Sequence, residues 1–475
     1  MYQYSRFGLG VDFSTSNQAA FLIAHGHLDP YVTTHRYPYL DDHFGLLLYP
    51  MAAFYLVYPH GILLLWFQDL ASVAAELVTL LWVTEIVARR SSPDDSSLAG
   101  PAIVVGAVVL LIADPWFYTS ILFDFHLNAF AALFLVLAAR DAWNGRLGRA
   151  SAFSVALLLT GDTGGLYLAG LGFSMAVGAT GKRKFGAAAL VVGAVWVVVV
   201  HVIAVNQSHV LVASYTYLVT GSPLVPGTIT LFSVSKALIE HPHRWLQMLW
   251  GRKRIIYEIL VPSGVVGIFS PWAFGTDFAV FFLQATAYSL TFLVDGFNVF
   301  PGLALVLACS VMALCEAAFS PRRWMRRAGC VVGLGLVVQS LVFAAVKIPE
   351  QFDYFLRISS PQAAALDRGL ALTPGDAEVI ASWGVMGRFS GRQWDYPLYS
   401  GVEADPVRAR NVVFVLTDAG LENDSPRAVA AIGAFVRDKL NAKVLVDSAG
   451  VTVLEWHAPA GTTQVPIPNP TGAVP

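Results

Sequence analysis

An all-α polytopic membrane protein of about ten spans, closed by a small C-terminal α/β domain, is the fold class this sequence predicts. Of its 475 residues, 56% are hydrophobic and only 13% are charged, whereas a soluble domain carries about 25% charged residues. Mean hydropathy is +0.60. Apolar runs recur from residue 61 to 347, and beyond about 350 the pattern changes to short strand-like runs and one helical period. A net charge of −2 supplies no basic field, so a nucleic-acid partner is excluded. Cys309, Cys315 and Cys330 form neither a CxxC pair nor a disulfide framework.

Residues 1–43 are polar and aromatic, with no basic start and apolar run of the signal-peptide kind. A short amphipathic helix is expected over Phe13 to His25, starting near Ser14 or Thr15. Residues 44–59 are apolar but fall short of the roughly 20 residues that cross a bilayer. A re-entrant or interfacial helix is expected there, and with it a further helix ahead of Met1. The alternative is that 44–59 spans and residues 1–43 are cytoplasmic.

Spans are expected at about 61–88, 101–118, 122–140, 150–180, 186–205, 255–272, 277–294, 298–318 and 328–347. Thr160-Gly161-Asp162-Thr163-Gly164-Gly165 has turn composition and splits 150–180 into two short helices. The transmembrane domain is therefore 44–348. In 349–457, Glu378 to Trp383 and Asn411 to Leu416 read as strands and Pro426 to Leu440 as a helix. Lys443 to Val446 and Val451 to Trp456 read as a final strand pair. The proline-rich tail 458–475 reads as disordered.

Loops 89–99, 140–149, 181–185 and 319–327 are basic and so expected to be cytoplasmic. This places the protein in the plasma membrane with its C-terminal domain outside. Asp12, Asp41, Asp42, His43, Asp124, His126, Asp162 and Asp295 then gather at the outer ends of the apolar segments. Carboxylates beside a bilayer core are costly, and several at one face point to a polar site.

The order of motifs resembles a family of prokaryotic polytopic proteins, the domain of unknown function 2079 family, similar in turn to GT-C glycosyltransferases. VDFSTSNQ (Val11 to Gln18) resembles the acidic, Gln-ended segment of the family's first outer loop. LDDHFGLLLYP (Leu40 to Pro50), Gln68 and FDFHLNAF (Phe123 to Phe130) resemble its next elements. LTPGDAEVIASWGVMGRFSGRQWDYPLY (Leu372 to Tyr399) and RNVVFVLTDAG (Arg410 to Gly420) resemble the opening of its outer domain. Where members carry Lys-Glu-Asp this chain has Thr160-Gly161-Asp162, and the late polar-aromatic element is reduced to Asp295-Gly296-Phe297-Asn298. The resemblance implies a GT-C-like build. It also implies a sugar moved from a polyprenyl-phosphate donor to an extracytoplasmic glycan or protein acceptor, with membrane lipids around the site. Carried over, Asp12 is the best match for the catalytic base, Asp42 the second, and Gln18 a substrate-binding residue.

Glycosyl transfer needs a carboxylate within reach of the acceptor hydroxyl, stabilisation of an oxocarbenium-like centre and cationic or metal partners for the leaving phosphate. Asp12 fits the first need, against a plain helix cap. Asp42 and His43, with Asp41, could hold a divalent cation or orient the acceptor, against a helix N-terminus. Asp124 and His126 are substrate-binding candidates, against capping. Asp162, in a glycine-rich break at membrane depth, suits a substrate cavity, against a plain loop. Arg252 and Arg254, with Lys253 between them, could hold the leaving phosphate, against snorkelling to headgroups. Glu76, in mid-span, must face the bundle interior. It favours the rival reading, a transporter or flippase for a lipid or amphiphilic solute. A non-catalytic envelope scaffold is a third.

Overall fold

The structure is a computed structural model, and it describes residues 2–42, 44–91, 98–178, 181–204, 214–221, 229–280, 299–398, 406–420 and 425–465. It is mostly helical, with one five-stranded sheet near the C-terminus. The first long helix, α1, covers Val11–Ala24. The bundle follows as α2 (Ile62–Arg90), α3 (Ala99–Ile112), α4 (Pro115–Leu122), α5 (Asn128–Trp143), α6 (Leu147–Leu158), α7 (Asp162–Gly178) and α8 (Arg183–Ile203). After shorter pieces come α9 (Phe300–Ala318) and α10 (Arg323–Phe355), then α11 (Ser360–Leu372) and α12 (Pro426–Asp438) of the C-terminal domain.

Among the described residues, five stretches are long and apolar enough to cross a membrane: Ile62–Arg90, Ala99–Leu122, Arg183–Ile203, Phe300–Ala318 and Arg323–Leu372. Helices α5, α6 and α7 are shorter, and α6 and α7 part at Leu159–Gly161, where Gly161 takes a φ of +123°. The expected span at 255–272 is not one helix. Its helix ends at Leu260, because Pro262 and Gly264 follow and the chain turns before a short 3₁₀ piece at Val266–Phe269. Of 277–294, only 277–280 is described, as the end of a seven-residue helix, Phe274–Val280. The 44–59 segment holds two short helical pieces, Leu48–Ala52 and Ala53–Leu56. Helix α10 carries Pro349 inside it and runs past 348 to Phe355.

Helices α7 and α8 meet backbone to backbone through small residues. A Cβ on Gly172 would stand 2.2 Å from the Leu190 nitrogen, and one on Gly193 would stand 2.5 Å from that of Ala169. Small residues permit such an approach where lipid supplies no hydrophobic drive between helices.

In the C-terminal domain the strands are β3 (Glu378–Ala381), β4 (Asp395–Pro397), β5 (Asn411–Thr417), β6 (Lys443–Ser448) and β7 (Val451–His457), after a two-residue pair, β1 (Tyr31–Val32) and β2 (Tyr37–Pro38), near the N-terminus. The sheet order is β4-β3-β5-β7-β6. β3 runs parallel to β4 and β5, while β7 is antiparallel to β5 and β6. Alternate residues serve opposite faces. Val379, Val413, Val415 and Val453 pack with Leu366 of α11, while Ile380, Phe414 and Leu454 pack with Ile432 and Val436 of α12. Covered on both sides, β5 is a near-continuous apolar run.

Helix α1 departs from expectation. It starts at Val11, not at Ser14 or Thr15, and it is buried nearly all round rather than lying amphipathic on a surface. Its polar residues face protein. Asn17 donates to Ser390 Oγ at 2.8 Å and accepts from the Tyr55 hydroxyl at 2.8 Å. Ser14 donates to Asp395 at 2.6 Å, and the Gly387 N–H donates to the Leu9 carbonyl at 3.0 Å. Helix α1 thus joins the bundle to the C-terminal domain. A Cβ on Gly387 would lie 2.7 Å from Leu9 Cβ and 2.9 Å from the Leu9 carbonyl oxygen. Gly387→Ala should therefore loosen this joint, at a cost of about 1–3 kcal/mol for overpacking. Limited proteolysis checks it: cleavage between the bundle and residues 360–465 should accelerate.

Candidate functional site

The N-terminal turn of α1 sits over the loop between α4 and α5. Helix starts leave N–H groups without partners, and Gly10, at the cap position, offers no side chain. Asp124 fills that role from 114 residues away: its carboxylate accepts from Gly10 N–H at 3.0 Å and from Phe13 N–H at 3.1 Å. It is buried. Burial first, and the Asp12 charge second, push the Asp124 carboxyl up to about 6.

Asp12, in the first turn of α1, faces His126 with Oδ2 3.4 Å from Nε2. The imidazole is held on three sides. Its Nδ1 lies 2.9 Å from the Asp124 carbonyl, so Nδ1 carries a proton, because a carbonyl only accepts. The ring stacks on Phe123 at 5.0 Å between centroids. The His126 backbone N–H donates to Gln68 Oε1 at 2.6 Å, and the Gln68 amide donates to the Ser120 carbonyl at 2.9 Å. Nε2 is then the position through which the ring can share a proton with Asp12, whose side chain stays 29% exposed. Asp12 and His126 form a part-exposed acid–imidazole pair resting on a buried carboxylate, which can take up one proton from a bound hydroxyl.

Asp12, Asp124 and His126 are thus brought together. Gln68, a motif residue with no role read from sequence, is their support. Gln18, expected to bind substrate, is not with them. It is fully buried, its amide donating to Thr33 Oγ1 at 2.8 Å and to the Gln393 carbonyl at 3.0 Å while accepting from Thr33 N–H at 2.9 Å. That saturates it as a structural bracket. Asp42 ends a four-residue helix, Tyr39–Asp42, so the expected helix N-terminus at this acidic pair is instead a helix end. The Asp42 side chain, His43 and Asp295 lie outside the described residues. Asp162 opens α7, and its side chain is also outside them. Arg254 is exposed and bound to Glu258 at 2.9 Å. The Glu258 carbonyl accepts from Trp116 Nε1, in the first turn of α4, at 3.2 Å. Arg252 caps the end of the helix Pro242–Gly251. Among the described residues no group of three or more His, Cys, Asp and Glu could hold a metal ion.

Asp395, on β4, escaped notice in the sequence. It is fully buried, takes the Ser14 hydroxyl on Oδ2 and leaves Oδ1 with no hydrogen bond. Burial pushes its carboxyl up to about 7. A pKa raised on folding favours the folded state at low pH, and that advantage disappears as pH rises through the folded value. Asp395 should therefore cost stability between pH about 4 and about 7, up to about 4 kcal/mol for a rise from about 3.8 to about 7. Asp395→Asn should flatten this part of the thermal-stability profile; an unchanged slope would show that the group is not buried against α1.

A cluster of basic side chains lies at the far end of the bundle. Arg140 pairs with Glu85, Arg89 bonds Asn144, and Lys182 donates to the Trp143 carbonyl at 2.6 Å. Gln68 and Arg89 are 21 residues apart on α2, about 30 Å at 1.5 Å per residue. The acid–imidazole pair and the cation cluster thus occupy opposite ends of one helix.

A model of a family described as "Predicted membrane protein (DUF2079)" matches residues 9–428. Two solved structures of ArnT from Cupriavidus metallidurans are similar to the chain at 12% identity and a TM-score of 0.48. The apo form covers 94% of this chain and 93% of its own; the form bound to undecaprenyl phosphate covers 96% of each. No curated protein matches.

Proposed function

The chain belongs to the DUF2079 family of predicted membrane proteins, and from its outer-end acid–imidazole pair we propose that it transfers a sugar from a polyprenyl-phosphate donor to an acceptor outside the cytoplasm. The observation that carries this reading is the convergence of Asp12, His126 and Asp124 at one end of the bundle. Asp12 takes the proton of the acceptor hydroxyl, and His126 holds and shares it. The acceptor oxygen bonds to the anomeric carbon as the bond from that carbon to the phosphate oxygen breaks. The phosphate leaves with the electron pair, still attached to its lipid. Asp124 acts as a positioning residue that fixes the start of α1 and so the direction of Asp12. Arg252 and Arg254 are candidates for the leaving phosphate, and Asp42, His43 and Asp162 for the rest of the substrate surface. The lipid tail of the donor explains a site at the membrane boundary. The C-terminal domain would then face the extracytoplasmic side of the plasma membrane.

A second reading has its own observation: Glu76 is half-buried in α2, with Oε2 enclosed and without a hydrogen bond, as a transporter's ion path would require. Proteoliposomes carrying the purified chain separate the two. Label leaving a polyprenyl-phosphate sugar for a water-soluble or protein acceptor supports transfer. Flux of an amphiphile that Glu76→Gln abolishes, with no label transferred, supports transport and sinks the enzyme reading.

A further inference from the structure

At the basic end of the bundle, between α2, α5, α7, the 266–272 turn and α9, lies a cavity of about 630 Å³. Its walls are apolar and aromatic, with Trp143, Trp272, Phe269 and Met312 among them. Arg89, Arg90 and Glu316 also line it, and Lys182 stands beside it on Trp272. The Arg89 guanidinium lies 4.0 Å from the Trp143 ring, and the Lys182 ammonium lies 5.4 Å from the Trp272 ring. The hydrogen bonds of both go to neutral groups, Asn144 for Arg89 and the Trp143 carbonyl for Lys182. Nearby carboxylates are already engaged, Glu316 by Arg90 at 3.0 Å and Glu85 by Arg140 and Asn144. Burial, and then the neighbouring Arg89 charge, lower the Lys182 ammonium below its ordinary range. Two cations held close on indole rings form a site suited to an anion.

We infer that this cavity binds an anionic glycerophospholipid from the leaflet at the basic end, its phosphate on Arg89 and Lys182 and its first methylenes between Trp143 and Trp272. A phosphate ion alone would leave most of the apolar wall wet, whereas a lipid fills both parts, as basic pockets between membrane helices do. The site is about 30 Å along α2 from Gln68, at the other end from Asp12, and takes no part in the proposed transfer.

Native mass spectrometry and thermal unfolding of the purified full chain test it, with phosphatidylglycerol, phosphatidylcholine and inorganic phosphate as probes. Phosphatidylglycerol should be retained and raise the unfolding temperature; phosphatidylcholine and phosphate should do neither. R89Q with K182Q should weaken phosphatidylglycerol binding at least tenfold, while R322Q with R323Q, on exposed positions of the same end, should leave it unchanged. Equal binding of phosphatidylcholine, equal protection by phosphate, or an equal loss in the R322Q/R323Q control would each overturn the inference. Should R89Q/K182Q fail to fold, photoreactive phosphatidylglycerol on the wild-type chain decides. Labelling within 266–272 or 309–316 supports the site, and labelling only elsewhere overturns it.

Discussion

Asp12→Asn should abolish sugar transfer, by about 100-fold or more, while expression and unfolding temperature stay at wild-type values. The asparagine keeps the shape of the side chain and removes its capacity to take a proton. Asp12 contributes little to folding, being part-exposed. Its charge near the α1 N-terminus is worth about 0.3–1 kcal/mol. The measurement is initial transfer rate against the amount of folded protein in the membrane. His126→Phe should preserve the stack on Phe123 but lose the contact with Asp12, giving a smaller fall and a changed pH–rate profile. Wild-type turnover in Asp12→Asn would end the proposal that this carboxylate is the base.

The second large effect is expected at Asp124. Asp124→Ala removes the acceptor for two buried N–H groups at the start of α1. Each buried donor left without a partner costs about 1–3 kcal/mol, so the pair should cost about 3 kcal/mol or more. Hydrogen exchange should locate the loss in the Ser14 to Gln18 amides before the rest of the bundle is affected. Asp124→Asn retains an acceptor oxygen and should be far milder. Its sign with pH is fixed by the raised carboxyl. The wild-type advantage is complete below about pH 4 and is lost as pH rises through about 6, so the asparagine variant should compare better at pH 7 than at pH 4. Equal exchange in Asp124→Ala and wild type would show that α1 does not depend on this cap.

Local patterns made much of this architecture legible. The short apolar runs of β3, β5 and β7 and the 3.6-residue period of Pro426–Asp438 are signals contained within a few residues. So is the Gly161 break between α6 and α7. What sequence could not convey is contact across distance. Asp124 looks like a cap for the helix that follows it and instead caps α1. Gln18, expected to bind substrate, ties α1 to Thr33 and Gln393. Asp395 stands between Trp394 and Tyr396, and its side-chain hydrogen bond comes from Ser14 of α1, nearly four hundred residues earlier. The apolar stretch at 255–272 misled because Pro262 and Gly264 weigh little in an average over composition yet end a helix.

Placing α1 between the bundle and the sheet has a consequence for biosynthesis. Ser14, Asn17 and Gln18 emerge from the ribosome before the spanning helices, yet Asp395, Ser390 and Gln393, which they bond, are translated only after them. Until then α1 has its bonds to Thr33 and Tyr55 but lacks those that Asp395, Ser390 and Gln393 supply. Its docking is therefore a late step that seals the molecule once the sheet exists. A chain truncated before residue 390 would leave the Asp12-bearing helix unlatched, even with the bundle whole.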